Sequence, residues 1–421
     1  MLMSSTVANR VSFIAAIDAS QCELSVVLPC LNEAGTVGPC VVKALATLKS
    51  LRIDGEVVVV DNGSDDRSGE VARRAGARVV SENRRGYGNA LRRGIEAARG
   101  RFIIIADADE SYDLSDLKRF VDRLRAGDDL VMGTRLRGRI EPGAMRPLHR
   151  VGNRVLSGIL KLFFRGRVSD PHCGMRAFTK DAFKRMRLTS GGMEFASEMV
   201  IKGVLAGMRI SELPIVLRPD GRVSHGPHLR SFRDGWRHLR YMLLLSPNYL
   251  FVIPGAACML LGSIPLVFLG HGPAALAKMQ FDYHYMILGS LLTILGFQAV
   301  ITGLFAKAYC HAARLYAPDR ILEAFRRHFN LERGLILGAV LLLAGFAIDA
   351  RILIGWLRNG MGELNAIRPA TRASTMIIIG AQVIFASFFL SLLGMFPSDA
   401  ADTPPIAAVA LEEIDAARDP G

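Results

Sequence analysis

The spacing of apolar residues divides the chain near residue 246. Before that point, apolar runs of four to six residues alternate with charged clusters, which is the pattern of buried strands and amphipathic helices. After it, four long apolar runs follow, and each is at least 20 residues long. Twenty helical residues at 1.5 Å each cross a hydrocarbon core of about 30 Å, so four membrane-spanning helices are predicted. The runs are Tyr249–Phe268, Tyr285–Ala306, Gly334–Leu357 and Ala373–Phe396.

The N-terminal half has the pattern of a layered α/β domain. Six short apolar runs have the composition of strands, and segments rich in Ala, Leu, Arg and Lys alternate with the first five. This alternation is typical of a mostly parallel sheet with helices on both faces. The predicted strands are Leu24–Leu28, Glu56–Val60, Arg78–Val80, Phe102–Ala106, Leu130–Met132 and Arg209–Leu217.

Acidic side chains follow several of these strands. Ligands of parallel sheets bind outside the carboxyl ends of the strands, so the residues after each strand form the candidate site. Asp107 and Asp109 are two residues apart in an extended chain and therefore point the same way. A pair of carboxylates suits Mg²⁺ or Mn²⁺, which takes its other ligands from water and substrate phosphates. The sequence predicts such an ion at this edge, which Asp61 shares.

Two other classes of nucleotide site do not match the sequence. The dinucleotide fingerprint G-x-G-x-x-G should open the helix after the first strand, but PCLNEAG stands there. Further along, Gly86 and Gly88 begin a similar pattern, and Leu91 occupies the third glycine position. No G-x-x-x-x-G-K-[ST] occurs, which excludes a P-loop.

The charge balance points to an anionic partner. Lys and Arg outnumber Asp and Glu by 52 to 39, a formal net charge of +13, which suits nucleic acid, a nucleotide or lipid head groups. With acids at the sheet edge and four apolar spans, we expect a nucleotide and a membrane, and no nucleic acid. The six cysteines lack metal-binding spacing and are too sparse for a disulfide scaffold, so reduced thiols are expected.

The loops between the spans predict an orientation. The stretch Lys307–Arg333 carries six Lys and Arg residues, whereas His271–His284 carries one. Positively charged loops stay in the cytoplasm. The N-terminal domain and the acidic C-terminal tail are therefore expected on the cytoplasmic side of the cell (inner) membrane.

Five motifs, in this order, carry a family resemblance: VVLPCLNEAGTV, VVVVDNGSDDRS, GYGNALRRGIEAARG, FIIIADADESYD and SDPHCGMRAF. Together they resemble family 2 glycosyltransferases with the GT-A fold, and more narrowly the polyprenyl-phosphate sugar synthases of the dolichol-phosphate mannosyltransferase type. The resemblance covers about Leu24–Arg218. It implies that a nucleotide sugar, UDP- or GDP-linked, is bound by Pro29, Asn32, Glu33, Asp61 and Asp107. It also implies metal binding by Asp107, Asp109 and Ser111, with Asp109 catalytic.

An arginine-rich stretch follows the fifth predicted strand. By resemblance, Arg135 is a catalytic residue that also binds the acceptor phosphate. Arg150 and Arg154 share a helical face and are expected to bind the same phosphate, and Arg154 stands where the relatives have a serine. The planar donor fork of guanidinium suits phosphate. A phosphate acceptor is already an anion and needs no general base. A lipid hydroxyl acceptor would need one, and the candidates are Asp170, Glu194 and Glu198, which we otherwise expect to be structural acids bonded to Arg176 or to helix ends.

The stretch before the first span predicts an interfacial amphipathic helix. Four arginines (Arg230, Arg233, Arg237 and Arg240) form one stripe, and four apolar residues (Phe232, Trp236, Leu239 and Leu243) form its neighbour. Such a helix places its apolar side in the acyl boundary and its cations at the head groups. Upstream, Arg218–His225 partly resembles the family's Arg-x-x-Gly-x-Ser-Lys loop over the donor phosphates, with His225 or Arg222 in place of the lysine.

These observations predict five segments and one activity. The segments are an N-terminal extension (1–23), a cytosolic GT-A domain (24–226), the interfacial helix (227–246), a four-helix membrane domain (247–397) and an acidic cytoplasmic tail (398–421). The expected activity is inverting, metal-dependent transfer of a sugar to a polyprenyl phosphate. The alternatives are transfer to a lipid hydroxyl, a processive polysaccharide synthase, which the missing Gln-x-x-Arg-Trp motif disfavours, and a non-enzymatic scaffold. A monomer and an oligomer are equally compatible with the sequence.

Overall fold

The computed structural model describes residues 22–164, 166, 168–222, 231–276, 279–313 and 320–394. Within it the chain forms two compact units, one ending at Met242 and the other beginning at Leu243. Most of the N-terminal extension, the acidic tail, Arg230 and His225 lie outside the described residues, so the predictions about them stay predictions.

The first unit contains a seven-stranded sheet in the order β3-β2-β1-β4-β6-β5-β7. All neighbouring strands are parallel except β6, which is antiparallel to both β4 and β5. The predicted mostly parallel α/β fold is confirmed. The strands are β1 Leu24–Cys30, β2 Gly55–Asp61, β3 Arg78–Ser81, β4 Phe102–Ile105, β5 Leu130–Ile140, β6 Arg176–Thr179 and β7 Ile210–Leu217.

Helices cover both faces of this sheet. They are α1 Val37–Ser50, α2 Ser68–Arg74, α3 Tyr87–Ala97, α4 Leu117–Arg125, α5 Pro147–Phe164, α6 Lys180–Met186, α7 Phe195–Leu205 and α8 Ser231–Leu244. On one face, Gly94 of α3 lies so close that a Cβ there would be 2.5 Å from the side chains of Val27 and Val60. Val26, whose side chain points to the other face, shares its core with α1 and α4.

Two features of the sheet differ from the prediction. Strand β6 was not predicted, because it has only four residues and begins with the buried Arg176, so it lacks a strand's apolar run. Strand β5 continues to Ile140 instead of ending at Met132. Arg135 therefore lies within a strand, beside β7, with an irregularity in the pairing between Thr134 and Arg139.

The second unit is helical and confirms the prediction of four membrane-spanning helices. A π-helical turn, Asn248–Val252, leads into α9, and a short hairpin of β8 and β9 follows. Four helices are long and apolar enough to cross a membrane: Asn248–Phe268, Tyr283–Ala312, Leu331–Arg358 and Ile367–Leu393. The elements are α9 Ile253–Phe268, β8 Ala274–Leu276, β9 Met279–Phe281, α10 Tyr283–Ala312, α11 Arg320–His328, α12 Leu331–Arg358 and α13 Ile367–Gly394.

Helix α8 combines an exposed apolar stripe with a buried polar one. Phe232 and Trp236 are 88% and 57% exposed, as the predicted interfacial helix requires. On the opposite side, Asp234 and His238 are buried. The His238 ring forms a 2.8 Å hydrogen bond with Ser197 of α7, so polar groups attach α8 to the rest of the first unit.

Candidate active site

Asp107 and Asp109 form the acidic centre of the predicted site, just beyond the carboxyl end of β4. Asp107 accepts a hydrogen bond from the hydroxyl of Tyr87 at 3.1 Å. Asp109 Oδ1 accepts hydrogen bonds from the backbone and hydroxyl of Ser111, at 3.1 and 2.5 Å. Burial raises the pKa of Asp107 to about 6, and the negative charge of Asp109 adds to this effect. The two carboxylates thus repel each other in a confined space.

A divalent cation fits this pair, since its charge would remove the repulsion. No group of three or more His, Cys, Asp or Glu side chains in the described part of the chain could hold a metal by itself. This donor set is that of a cation held by one or two carboxylates and completed by substrate phosphates. The backbone also makes room, because a Cβ on Gly174 would be 2.7 Å from Asp107 Oδ2. Ser111 holds Asp109 in place, and its own role as a metal ligand stays a prediction.

The turn after β1 brings Asn32 and Glu33 to the same edge of the sheet. Asn32 has a positive φ of 58°, and its backbone N–H donates to the Ser64 hydroxyl at 3.0 Å. The backbone N–H of Glu33 donates to Ser68 at 2.8 Å. Hydrogen bonds donated to Ser64 in the β2–α2 turn and to Ser68 at the start of α2 therefore fix this strained backbone, as is common at functional sites.

The turn after β2 is built around Asp61 and Asn62. Asp61 Oδ1 accepts a hydrogen bond from the backbone N–H of Ser64 at 2.9 Å. The other oxygen, Oδ2, faces Gly69 and would be 3.1 Å from a Cβ at that position. The buried Asn62 amide donates to the carbonyls of Glu82 and Arg84 and accepts from Gly86 N–H. Pro29 lies in β1, paired with Val60. These residues stay predicted nucleotide-binding residues at one edge.

Arg135 is deeply buried and forms a bidentate ion pair. Its Nε lies 2.7 Å from Asp170 Oδ2, and its Nη2 lies 2.8 Å from Oδ1. The Asp170 side chain is 0% exposed and that of Arg135 is 10% exposed. Asp170 therefore pairs with Arg135 and not with Arg176, whose guanidinium instead donates to the carbonyls of Cys173, Ala196 and Pro171.

Arg150 and Arg154 lie on α5, which begins near Arg135. The pKa of His149, in the first turn of α5, is lowered by burial and then by the positive charges of Arg146 and Arg135. Arg150 and Arg154 are exposed, and neither forms an ion pair with another described residue. Leu148, Val151 and Val155 are exposed on the same helix. The helix thus presents two exposed guanidinium groups beside apolar side chains.

The three acids considered as general bases differ in their surroundings. Asp170 is held by Arg135, as described above. Glu198 is also buried. It accepts hydrogen bonds from the backbone N–H groups of Thr189 and Ser190 and forms an ion pair with Lys202. One carboxylate oxygen of Glu194 is buried and has no hydrogen-bond partner among the residues that the structure describes.

Two residues of the site were missed or given little weight by sequence reasoning. Tyr87 orients Asp107, and the GYG motif that contains it was the available signal. Arg222 was one of two residues predicted to take the place of the lysine in the family's loop over the donor phosphates. In the structure it joins Glu33 and Asp109, with guanidinium–carboxylate distances of 2.7 and 3.1 Å. Its charge and that of Arg135 both favour the ionised form of Asp107, so the predicted acids and both arginines form one electrostatic cluster.

The geometry can be compared with known proteins. Residues 25–187 match the family described as Glycosyl transferase family 2, and residues 304–394 match the Glycosyltransferase family 2 C-terminal transmembrane region. The chain is 40% identical over 374 residues to the low-salt glycan biosynthesis hexosyltransferase Agl6 of Haloferax volcanii, covering 88% of this chain and 89% of that protein.

Two further similarities each cover about half of the chain. A dolichyl-phosphate hexose transferase of Haloferax volcanii is 32% identical over 198 residues, which are 47% of this chain and 83% of that protein. A solved structure of glucosyl-3-phosphoglycerate synthase from Mycobacterium tuberculosis superposes with a TM-score of 0.43 at 24% identity, covering 55% of this chain and 81% of that one.

Proposed function

The chain belongs to glycosyltransferase family 2, and we propose that it transfers a sugar, with inversion, from a nucleotide sugar to a polyprenyl phosphate. The observation that carries the proposal is the pair Asp107 and Asp109 at the sheet edge of a chain with four membrane-spanning helices. The dolichyl-phosphate acceptor in the name of one relative supports the same class of acceptor. We place the reaction at the cytoplasmic face of the cell membrane, where the positive loops predict the catalytic domain.

The donor is held by the turns after β1, β2 and β4 in this proposal. Pro29, Asn32, Glu33 and Asp61 bind the nucleoside, and Asp107 and Asp109 hold Mg²⁺ or Mn²⁺. When bound, such an ion acts as a Lewis acid on the diphosphate and stabilises the charge that develops on it. Tyr87 and Ser111 keep the two carboxylates oriented towards that position through the hydrogen bonds described above.

The acceptor phosphate attacks the anomeric carbon from the opposite side. A new carbon–oxygen bond forms as the bond to the nucleoside diphosphate breaks, and the departing oxygen keeps the electron pair. Arg150 and Arg154 bind the acceptor phosphate, and Arg135 contributes positive charge near Asp107. A phosphate acceptor has no proton to lose, so the reaction needs no general base. This agrees with the structure, in which Asp170 and Glu198 are already held in hydrogen bonds and ion pairs.

Transfer to a lipid hydroxyl is the second candidate, because Glu194 retains a buried carboxylate oxygen without a partner in the described residues. That oxygen is a suitable proton acceptor for a hydroxyl nucleophile. In this reaction the carboxylate would take the hydroxyl proton as the glycosidic bond forms. The Glu194→Gln substitution should then abolish transfer, whereas it should have little effect on transfer to a phosphate.

The two acceptors can be separated by the stability of the product. Membranes containing the protein are incubated with labelled UDP-glucose, GDP-mannose or related donors, and the lipids are extracted into an organic phase. Label that is released from the lipid by mild acid identifies a sugar phosphodiester and supports the proposal. Acid-stable label identifies a glycoside and supports the hydroxyl acceptor. If no donor labels the lipid and no nucleotide sugar binds the purified protein, the scaffold hypothesis replaces both.

A further inference from the structure

The residues after β7 lie along the acidic motif that follows β4. We call residues 218–222 the post-β7 segment. Its Arg218 N–H donates to the Ser111 carbonyl at 3.0 Å, and its Gly221 N–H donates to the Asp109 carbonyl at 2.9 Å. The side chain of Arg218 also pairs with Asp113 at 2.9 Å. This backbone register fixes the segment against the motif and brings Arg222 directly to the acidic centre.

Arg222 links two carboxylates from the turns that follow different strands, Glu33 after β1 and Asp109 after β4. Its guanidinium lies 2.7 Å from Glu33 Oε1 and 3.1 Å from Asp109 Oδ2. The side chain of Arg222 is 13% exposed, and those of Glu33 and Asp109 are 5% and 8% exposed. Two carboxylates this far from water require a compensating cation, and in the described structure Arg222 provides it.

The position of Arg222 conflicts with metal binding at Asp109. Oxygen Oδ1 of Asp109 already accepts hydrogen bonds from Ser111. Oxygen Oδ2 is therefore the one that a divalent cation would use, and it is the oxygen that Arg222 contacts. A guanidinium and a metal ion cannot occupy the same side of one carboxylate oxygen, because both are positively charged. Binding of one must weaken the contact of the other.

We propose that Arg222 acts as a stand-in cation that must release Asp109 before a divalent ion binds, so that the protein binds metal weakly until a nucleoside diphosphate is present. A diphosphate carries the negative charge that can hold the released guanidinium, and Asp107 and Asp109 would then be free to hold the divalent ion. Arg222 thereby makes metal binding and donor binding mutually dependent. This inference rests on the proposed metal-dependent function and adds an order of binding to it.

The test measures metal affinity directly and does not rely on turnover. Purified full-length protein in detergent is titrated with Mn²⁺, and free Mn²⁺ is quantified by its electron paramagnetic resonance signal, without and with UDP or GDP. Arg222→Gln should bind Mn²⁺ about tenfold more tightly than the wild type in the absence of nucleotide, as expected for coupling between two sites. The added nucleotide should strengthen Mn²⁺ binding much less in this variant than in the wild type.

Arg119→Gln is the matched control, because Arg119 is also an arginine in an ion pair, but its partner is Asp116, which lies outside the proposed metal site. Its Mn²⁺ affinity should equal that of the wild type. If Arg222→Gln is too unstable to purify, the double variant Glu33→Gln/Arg222→Gln removes one charge of each sign and should show the same tighter binding. Unchanged or weaker Mn²⁺ binding in the folded Arg222 variant would overturn the inference alone. Absence of Mn²⁺ binding in every variant, with and without nucleotide, would overturn the metal-dependent function itself.

Discussion

Arg135 and Asp170 form a closed bidentate ion pair, in which the guanidinium Nε and Nη2 donate to the two carboxylate oxygens at 2.7 and 2.8 Å. The backbone N–H of Arg135 donates to the same carboxylate at 3.0 Å. Asp170 therefore fixes both the main chain and the side chain of Arg135. Arg135 has little freedom to leave this partner, so it acts on the site as a fixed positive charge.

Replacing Asp170 with Asn should strongly destabilise the catalytic domain, because it leaves Arg135 buried without a counter-charge. Breaking a buried pair in this way costs about 3–5 kcal/mol, which lowers the melting temperature by about 6 °C or more for a domain of this size. Thermal unfolding of the purified protein measures the effect. Asp181→Asn is the control, since its side chain is 75% exposed, and a similar shift in both variants would contradict the prediction.

The Asp109→Asn substitution should abolish metal-dependent sugar transfer, because a neutral amide binds a divalent cation poorly. The membrane helices should remain folded, and the circular dichroism spectrum should be unchanged. Transfer of labelled sugar to extracted lipid is the measurement. Asp122→Asn on α4, where the carboxylate forms a surface pair with Lys118, should retain full activity. Retained activity in Asp109→Asn would remove this residue from the mechanism.

Arg150 and Arg154 should contribute to acceptor binding and not to donor binding. Removing one charged hydrogen-bond donor to a phosphate costs about 1.5–3 kcal/mol, so Arg150→Gln and Arg154→Gln should each raise KM for the lipid phosphate about tenfold or more. The KM for the nucleotide sugar should stay the same. Lys161→Gln on the same helix is the control, because this exposed cation lies two turns away. An equal rise in both KM values would show that the arginines act on the fold instead.

Low pH should weaken the attachment of α8 to the catalytic domain. Burial lowers the pKa of His238 to about 4. The negative charge of Asp234 opposes this shift, and the positive charge of Arg176 adds to it. In the unfolded chain the pKa of this histidine is near 6.5. Between about pH 6.5 and pH 4 the unfolded chain therefore binds a proton that the folded state does not bind. Stability from this group is therefore complete above about pH 6.5 and is lost as the pH falls towards 4, by about 3 kcal/mol in total.

His238→Gln should remove the part of this pH dependence that comes from His238, whereas the buried His172, whose pKa burial also lowers, keeps its own part. The melting temperature of the variant, measured from pH 4 to 7.5, should fall less on acidification than that of the wild type. His271→Gln, at an exposed histidine of the second unit, should follow the wild-type curve. If the His238 variant shows the full wild-type slope, another group is responsible for the acid sensitivity.

Helices α12 and α13 should not tolerate a side chain at Gly338, where α12 packs closely against α13. A Cβ on Gly338 would be 2.8 Å from the carbonyl oxygen of Gly380 and 2.6 Å from Ile384. Gly338→Val should therefore force the helices apart and destabilise the second unit by about 1–3 kcal/mol. Gly355→Val on the same helix is the control, because nothing in the described structure lies within 4 Å of a Cβ there. The loss of thermal stability in detergent should appear only in the first variant.

Local patterns were sufficient to predict the membrane helices and the parallel part of the sheet. The apolar runs of 20 or more residues predicted the membrane helices, since length and apolarity alone decide whether a helix can cross a bilayer. The alternation of strands and helices predicted the parallel part of the sheet. The positions of Asp107 and Asp109 after a buried strand marked the candidate site, because strand ends in such a sheet converge on one edge.

The tertiary structure decided which side chains meet. Strand β6 pairs in the middle of the sheet although its four residues carry no strand pattern, because its neighbours β4 and β5 supply the hydrogen bonds. Arg222 forms an ion pair with Glu33, which is 189 positions away in the sequence. Arg135 pairs with Asp170 and not with an acid nearer in the sequence. Charge pairs of this kind depend on how distant segments pack and on how far the pair is removed from water, and a one-dimensional pattern of residues contains neither quantity.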